Sequence, residues 1–109
     1  MTFREAVEKR VLVFDGAMGT QIQGFDLKAT DFGGKEGAND LLTLTRPDLV
    51  EAIHGRYFAA GCDVVETNTF GSSRLKLDEY GLGHRTYEVN FRAAILARRA
   101  ADRYTTPDH

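Results

Sequence analysis

The fold prediction starts from one stretch of the chain, Val11-Leu12-Val13-Phe14-Asp15-Gly16-Ala17-Met18-Gly19-Thr20. Its four leading apolar residues do not alternate with polar ones, which is typical of a parallel strand buried on both faces. An acid ends this run, and two glycines then bracket Ala17 and Met18, which predicts a tight loop that opens a short helix. Free backbone N–H groups in such a loop can hold an anion, and the acid can hold a cation. The stretch therefore offers both halves of a site for a zwitterion such as an amino acid.

A second segment of the same kind follows at residues 62–71, where a short apolar run ends in Glu66-Thr67-Asn68-Thr69-Phe70-Gly71. Between the two segments, the pattern predicts a helix over about 46–60, with Thr45 as its N-cap, Pro47 in the first turn and Gly61 just past the end. A strand, a helical crossover and a second strand form a βαβ unit. We therefore predict parallel strands at about 11–14 and 63–67.

The rest of the chain is predicted to be helices and one long ordered loop. Residues 2–5 have the spacing of a capping box, so a helix is expected over about 3–10. Further helices are expected at about 17–23, 74–80 and 85–104. The loop, residues 24–45, should be anchored by burial of Leu41 and Leu42, and a loop of that length is often functional. The last helix carries two apolar runs and four arginines that are interpreted as a solvated face: Tyr87, Phe91, Ala94 and Ile95; Val89, Ala93, Leu96 and Ala100; and Arg92, Arg98, Arg99 and Arg103.

Composition limits the class of protein. The 109 residues are enough for one domain at most, with 42% hydrophobic residues, 28% charged residues and a net charge of −2. This charge provides no basic patch for nucleic acid, and no apolar run approaches the roughly 20 residues that span a bilayer. The chain shows no signal-peptide pattern, and a single cysteine allows no internal disulfide. We therefore expect a cytoplasmic protein that binds neither nucleic acid nor membrane.

Five motifs follow one another along the chain: residues 15–20 (DGAMGT), 37–42 (GANDLL), 46–47 (RP), 53–61 (IHGRYFAAG) and 66–71 (ETNTFG). Taken in order, these motifs resemble the N-terminal part of homocysteine S-methyltransferases. Within that family the likeness is strongest to the homocysteine-binding module of cobalamin-dependent methionine synthases, and it runs to about Tyr104. A single one of these motifs would be weak, but several at compatible spacing are specific.

The resemblance implies a fold and a domain. The family fold is a (β/α)₈ TIM barrel of roughly 250 residues, with its sites at the C-terminal ends of the strands. The expected fold class is therefore α/β, an N-terminal fragment of a TIM barrel with about two parallel strands and crossover helices. Residues 1–109 would be a partial homocysteine-binding domain, truncated before the third barrel strand.

The resemblance also implies the chemistry of the complete enzyme. Zinc, held by thiolates from later strands, lowers the pKa of the homocysteine thiol. The methyl group comes from methylcobalamin on another module, which is recharged from methyltetrahydrofolate. The implied partners are homocysteine, the rest of the barrel, and the folate and cobalamin modules. The zinc ligands are expected beyond residue 109, so the chain alone is predicted to hold no catalytic residue, to bind neither zinc nor cobalamin, and to be inactive.

The substrate-binding residues are assigned by the same resemblance. The backbone N–H groups of the loop take the carboxylate of homocysteine, Asp15 takes its ammonium group, and a second group of residues lines the same mouth. The predicted site consists of Asp15, Gly16, Ala17, Met18, Gly19, Glu66, Thr67 and Asn68.

Simpler interpretations remain open at the level of sequence. Asp15 alone could be a helix N-cap, and Glu66 could serve only to orient Asn68 or a neighbouring loop. Cys62 precedes the second strand and is interpreted as a small core or near-surface residue, not as a ligand. His54 and His84 are interpreted as structural or exposed. For the protein as a whole, the alternatives are a homocysteine methyltransferase that uses S-methylmethionine or betaine as donor, and a non-catalytic truncated fragment.

Overall fold

The computed structural model describes residues 2–35 and 37–107, and the regular structure in this part of the chain is helical. Three short 3₁₀ turns connect the helices, at Ala29–Phe32, Asn39–Leu41 and Gly83–Arg85. The α-helices are α1 (Phe3–Lys9), α2 (Gly19–Gln23), α3 (Leu42–Thr45), α4 (Pro47–Ala59), α5 (Arg74–Asp78) and α6 (Thr86–Tyr104).

The prediction of an α/β barrel fragment with two parallel strands is wrong for the described residues. Residues 11–14 and 63–67 meet in one isolated parallel bridge, between Phe14 and Val64, and no sheet forms. A parallel strand pair is stable when further strands and helices cover both edges and both faces. No third strand is present among the described residues to supply that cover.

Around the Phe14–Val64 bridge, a few irregular hydrogen bonds replace the regular ladder of a parallel strand pair. The N–H groups of Asp63 and Val64 both donate to the carbonyl of Val13, at 2.7 and 3.2 Å. The N–H of Val13 donates at 2.8 Å to the Asp63 carboxylate, which also accepts from Arg10 at 2.9 Å. The side chain of Val13 is 55% exposed and that of Val11 84%, so the apolar run is not buried on both faces as predicted.

Sequence signals next to the helix ends predicted correctly where α1 begins and where α4 begins and ends. The Thr2 hydroxyl accepts from the N–H of Glu5 at 3.2 Å, as the capping spacing predicts. Helix α4 begins at Pro47 and is followed by Gly61 at φ +108°, where glycine avoids the strain of a side chain. The prediction of Thr45 as N-cap is wrong, because Thr45 ends α3 and its hydroxyl donates to the carbonyl of Asp31 at 2.5 Å.

The packing of α4 against α6 forms the main core. Leu42, Leu49, Val50 and Ile53 are almost fully buried there, and Leu96 from α6 joins them. One of the two predicted apolar runs of α6 is buried, and the other is exposed. The buried run is Val89, Ala93, Leu96 and Ala100; the exposed run is Tyr87, Phe91, Ala94 and Ile95.

The predicted loop at 24–45 contains two 3₁₀ turns and the short helix α3, and Leu41 and Leu42 anchor it as expected, at 4% and 0% exposure. The arginines of α6 are exposed, as interpreted, and they also form ion pairs: Arg99 and Arg103 with Glu51, at 3.3 and 3.0 Å. Within residues 2–35 and 37–107, no helix combines the length and apolar character needed to cross a membrane.

Candidate functional site

The isolated bridge brings the polar ends of the two motif segments together. The N–H of Asp15 donates to the carbonyl of Val64 at 2.9 Å. The N–H of Glu66 in turn donates to both carboxylate oxygens of Asp15, at 3.2 Å each. Two acids from distant parts of the sequence therefore lie at one edge of the structure, with the Asp15 carboxylate held by backbone.

The Asp15 carboxylate lies in an environment that disfavours its negative charge. Partial burial is the main cause that raises its pKa above 3.8, and the nearby negative charge of Glu66 raises it further. The hydrogen bond from the N–H of Glu66 opposes both effects. A bound cation between these two acids would relieve their repulsion and favour the ionised form of Asp15.

The loop after Asp15 keeps three backbone donors free. Among the described residues, none accepts a hydrogen bond from the N–H groups of Gly16, Ala17 or Met18. The carbonyl of Ala17 accepts a hydrogen bond from the Tyr57 hydroxyl at 2.7 Å. The loop therefore presents N–H groups that are available to an anion, while its carbonyl side is tied to α4.

The segment after Glu66 is held by the 3₁₀ turn at Asn39–Leu41. The amide of Asn68, which is 5% exposed, donates to the carbonyl of Asn39 at 3.1 Å and to the Thr43 hydroxyl at 3.3 Å. The hydroxyl groups of Thr67 and Thr69 share a hydrogen bond of 2.7 Å. Asn68 thus has an evident structural role in addition to its place in the predicted site.

Asp40, which sequence reasoning did not single out, makes a second connection between the 3₁₀ turn at Asn39–Leu41 and the segment after Glu66. Its buried carboxylate accepts from the N–H of Gly71 at 2.9 Å and from the Ser72 hydroxyl. The Asn90 amide donates to the carbonyl of Ser72 at 2.9 Å, which links this turn to α6. The signal for this clamp was the polar Asn39-Asp40 pair within the motif at 37–42, which was interpreted only as an anchor for its two leucines.

These elements enclose an open cavity of about 550 Å³. Seven of the eight predicted site residues line it; Ala17 does not. Sequence reasoning did not assign to the site other lining residues that are apolar or charged, among them Lys76, Tyr80 and the fully exposed Phe70. The lining residues that were predicted are Asp15, Gly16, Met18, Gly19, Glu66, Thr67 and Asn68.

Tyr57 in α4 is a further residue of the site region that was not among the predicted site residues. Its ring packs against the core beneath the loop, and its hydroxyl reaches the carbonyl of Ala17. A tyrosine on the buried side of a helix usually has a hydrogen-bond partner for its hydroxyl, and that regularity is the signal that could have drawn attention to it.

The described residues do not fit a zinc site. In residues 2–35 and 37–107, no three side chains of His, Cys, Asp or Glu come together as a ligand set. Cys62 is buried, and burial is the first cause that raises the pKa of its thiol, so a thiolate is disfavoured there. His54 is fully buried within α4, and His84 lies in a separate 3₁₀ turn.

Comparison with known proteins identifies the family. The chain belongs to the homocysteine S-methyltransferase family, whose model matches residues 12–109. It is 50% identical over 105 residues to a methionine synthase of Mycobacterium leprae (strain TN), an alignment that covers 96% of this chain and 9% of that protein. It is 47% identical over 104 residues to a methionine synthase of Mycobacterium tuberculosis (strain ATCC 25618 / H37Rv), covering 95% of this chain and 9% of that protein. The chain thus spans 9% of the length of these curated relatives.

Proposed function

We propose that this chain supplies the part of a homocysteine S-methyltransferase that binds the amino-acid end of homocysteine. The observation that carries the proposal is a cavity lined by both motif segments, in which backbone N–H groups without a partner among the described residues lie beside two carboxylates. An α-amino acid carries an anion and a cation on one carbon atom. A site with donors and acids side by side matches both groups.

The carboxylate of homocysteine would accept hydrogen bonds from the N–H groups of Gly16, Ala17 and Met18, together with Gly19 at the start of α2. The first turn of a helix leaves its N–H groups without intrahelical partners, and an anion there is favoured. The loop is also preorganised for this anion, because the hydrogen bond from the Tyr57 hydroxyl holds the carbonyl of Ala17 in place.

The ammonium group of homocysteine would lie between Asp15 and Glu66, where the two carboxylates repel each other in the absence of a cation. Thr67 and Asn68 would complete the wall beside it. A hydrogen bond to a charged group contributes about 1.5–3 kcal/mol. The paired acids therefore discriminate for an amine and against a neutral group at this position.

Holding the amino-acid end leaves the thiol end of the ligand free to meet a methyl donor. Fixing the position of a nucleophile in this way lowers the entropic part of the barrier to methyl transfer. In the complete protein, we propose, cobalamin recharged from methyltetrahydrofolate supplies the methyl group and zinc activates the thiol. The residues described here do not form a zinc ligand set, so their part is binding and orientation. The similarity to two methionine synthases favours this donor over S-methylmethionine or betaine.

Asp15→Ala in the full-length protein tests the proposal. Loss of one charged hydrogen bond should raise the homocysteine KM about 10- to 100-fold, with the KM for the methyl donor nearly unchanged. Asp26→Ala is the matched control, because Asp26 is exposed and lies outside the cavity lining. A homocysteine KM that is the same in Asp15→Ala as in the wild type would refute the assigned role.

A further inference from the structure

Within the described part of the chain, the side chain of Tyr57 makes one hydrogen bond, and it is with the loop that follows Asp15. Its hydroxyl donates to the carbonyl of Ala17 at 2.7 Å across 40 residues of sequence. Its ring is half-buried against the core of α4 and α6, so the hydroxyl projects from a rigid support. The tyrosine does not line the cavity.

The ring of Tyr57 also defines how closely the loop can approach α4. A Cβ atom added to Gly16 would lie 3.3 Å from the hydroxyl oxygen of Tyr57 and 3.6 Å from its Cε1 atom. A contact of 3.3 Å is tighter than ordinary van der Waals packing. Gly16 therefore allows the loop to rest against the tyrosine, and the hydrogen bond to the next residue locks it there.

We propose that Tyr57 is a positioning residue that, by holding the carbonyl of Ala17, orients the N–H of Met18 toward the carboxylate of the substrate. This inference rests on the proposed function of the cavity and extends it to a residue outside its lining. The peptide unit between Ala17 and Met18 carries both groups involved: the carbonyl bound by Tyr57 and the N–H of Met18. Because the unit is planar, fixing the carbonyl direction fixes the N–H direction, which is opposite.

The proposal predicts a selective effect of Tyr57→Phe in the full-length protein. The substitution keeps the ring and its packing and removes only the hydroxyl. Binding of homocysteine should weaken roughly 2- to 12-fold, the equivalent of one neutral hydrogen bond. Binding of 3-aminopropane-1-thiol, which is homocysteine without its carboxylate, should not change. In methyl-transfer assays, the KM for homocysteine should rise and kcat should stay the same.

Tyr104→Phe is the matched control. The ring of Tyr104 stacks on that of Phe58 in α4, with 5.8 Å between the ring centroids, and neither residue lines the cavity. This variant should bind both ligands as the wild type does. If Tyr57→Phe acted through a general loss of packing, it would weaken the binding of homocysteine and of 3-aminopropane-1-thiol alike. That result would overturn the positioning role.

Gly16→Ala provides a second, independent measurement. In the wild-type background, the added methyl group should crowd the Tyr57 hydroxyl and weaken homocysteine binding. In the Tyr57→Phe background, the nearest crowding atom is gone, so the same substitution should cost less. Strictly additive effects, or no effect of Tyr57→Phe on homocysteine, would overturn the inference. If Asp15→Ala also left homocysteine binding unchanged, the proposed function itself would fail; if Asp15→Ala alone weakened it, only the role of Tyr57 would fail.

Discussion

The N–H of Glu66 donates to both carboxylate oxygens of Asp15, at 3.2 Å each, and so joins two motif segments that are 51 residues apart in sequence. This contact places a second acid beside the first. The hydrogen bond partly offsets the cost of bringing the two charges together, and a ligand cation would offset more of it. The contact between Asp15 and Glu66 therefore sets how strongly the cavity attracts a cation.

Homocysteine binding should weaken as the pH falls, and Asp15→Asn should remove most of that dependence. The pKa of Asp15 is raised above its ordinary value, first by burial and then by the charge of Glu66. The ammonium group of the ligand needs the ionised carboxylate, so affinity is complete above the raised pKa and is lost as the pH falls through it. This loss begins at a higher pH than for an ordinary aspartate. Calorimetric titration at a series of pH values measures it.

In Asp15→Asn, the affinity should be lower at neutral pH and nearly flat with pH. Asp26→Asn should keep the wild-type profile. Profiles of the same shape in Asp15→Asn and the wild type would show that another group controls the dependence.

Asp40→Ala should loosen the segment at residues 66–72. The substitution leaves the N–H of Gly71 and the hydroxyl of Ser72 without the acceptor they share, and one unsatisfied buried group costs about 1–3 kcal/mol. Backbone hydrogen exchange in this segment should be roughly 5- to 150-fold faster, as mass spectrometry of its peptides would show. Asp31→Ala is the control, because Asp31 accepts from the N–H of Lys28 in a different turn. Unchanged exchange in Asp40→Ala would contradict the role of the clamp.

His54 should make the packing of α4 sensitive to acid. The residue is fully buried, and neither ring nitrogen has a hydrogen-bond partner among the described residues. Burial lowers the pKa of His54 below 6.5, with a smaller opposing effect from Glu51. The unfolded state therefore takes up a proton first as the pH falls below about 6.5. Stability is highest above that value and declines below it, until the pH reaches the lowered pKa of the folded state.

His54→Leu should flatten this decline, because the variant has no group to protonate at that position. Hydrogen exchange of the α4 amides, corrected for the intrinsic pH dependence of exchange, would measure the change. His84→Leu, at an exposed histidine, should leave the decline as it is in the wild type. If the stability of α4 still declined with falling pH in His54→Leu, groups other than His54 would be responsible for the decline.

The isolated 109-residue chain should self-associate or bind a hydrophobic dye. Large apolar side chains are exposed on α1, on the segment that follows it and on α6; they include Phe3, Val7, Val11, Val13, Phe14, Tyr87 and Phe91. Exposed apolar patches of this kind drive association. Light scattering and dye fluorescence test the expectation, and Val11→Lys should reduce both signals. A monodisperse monomer with a sharp cooperative melt would contradict it.

The isolated chain should also contain well under one zinc ion per molecule after dialysis. A zinc site needs at least three protein ligands in fixed geometry, and no such set comes together in the described residues. Metal analysis by mass spectrometry measures the content. Stoichiometric zinc, or homocysteine-dependent methyl transfer by the chain alone, would contradict this prediction.

The sequence by itself determined the features that depend on neighbouring residues. Pro47 and Gly61 mark the two ends of α4, and the hydroxyl of Thr2 caps α1, because each of these signals acts within one turn of backbone. Helical spacing likewise identified the buried run of α6, but it could not tell that run from the exposed one. Seven of the eight residues predicted from the motif segments line one cavity, and their role in binding stays a prediction.

Only the tertiary structure decided whether the two predicted strands, at residues 11–14 and 63–67, form a sheet, and which residues support the cavity. A run such as residues 11–14 becomes a strand when other strands pair with it, and in the described residues a single bridge forms and the Asp63 carboxylate takes the N–H of Val13 instead. Tyr57 and Asp40 act on backbone groups 40 and 31 residues away. Nothing in the residues next to them specifies those partners, because the contacts exist only once α4 and the turn at Asn39–Leu41 have packed beneath the two loops.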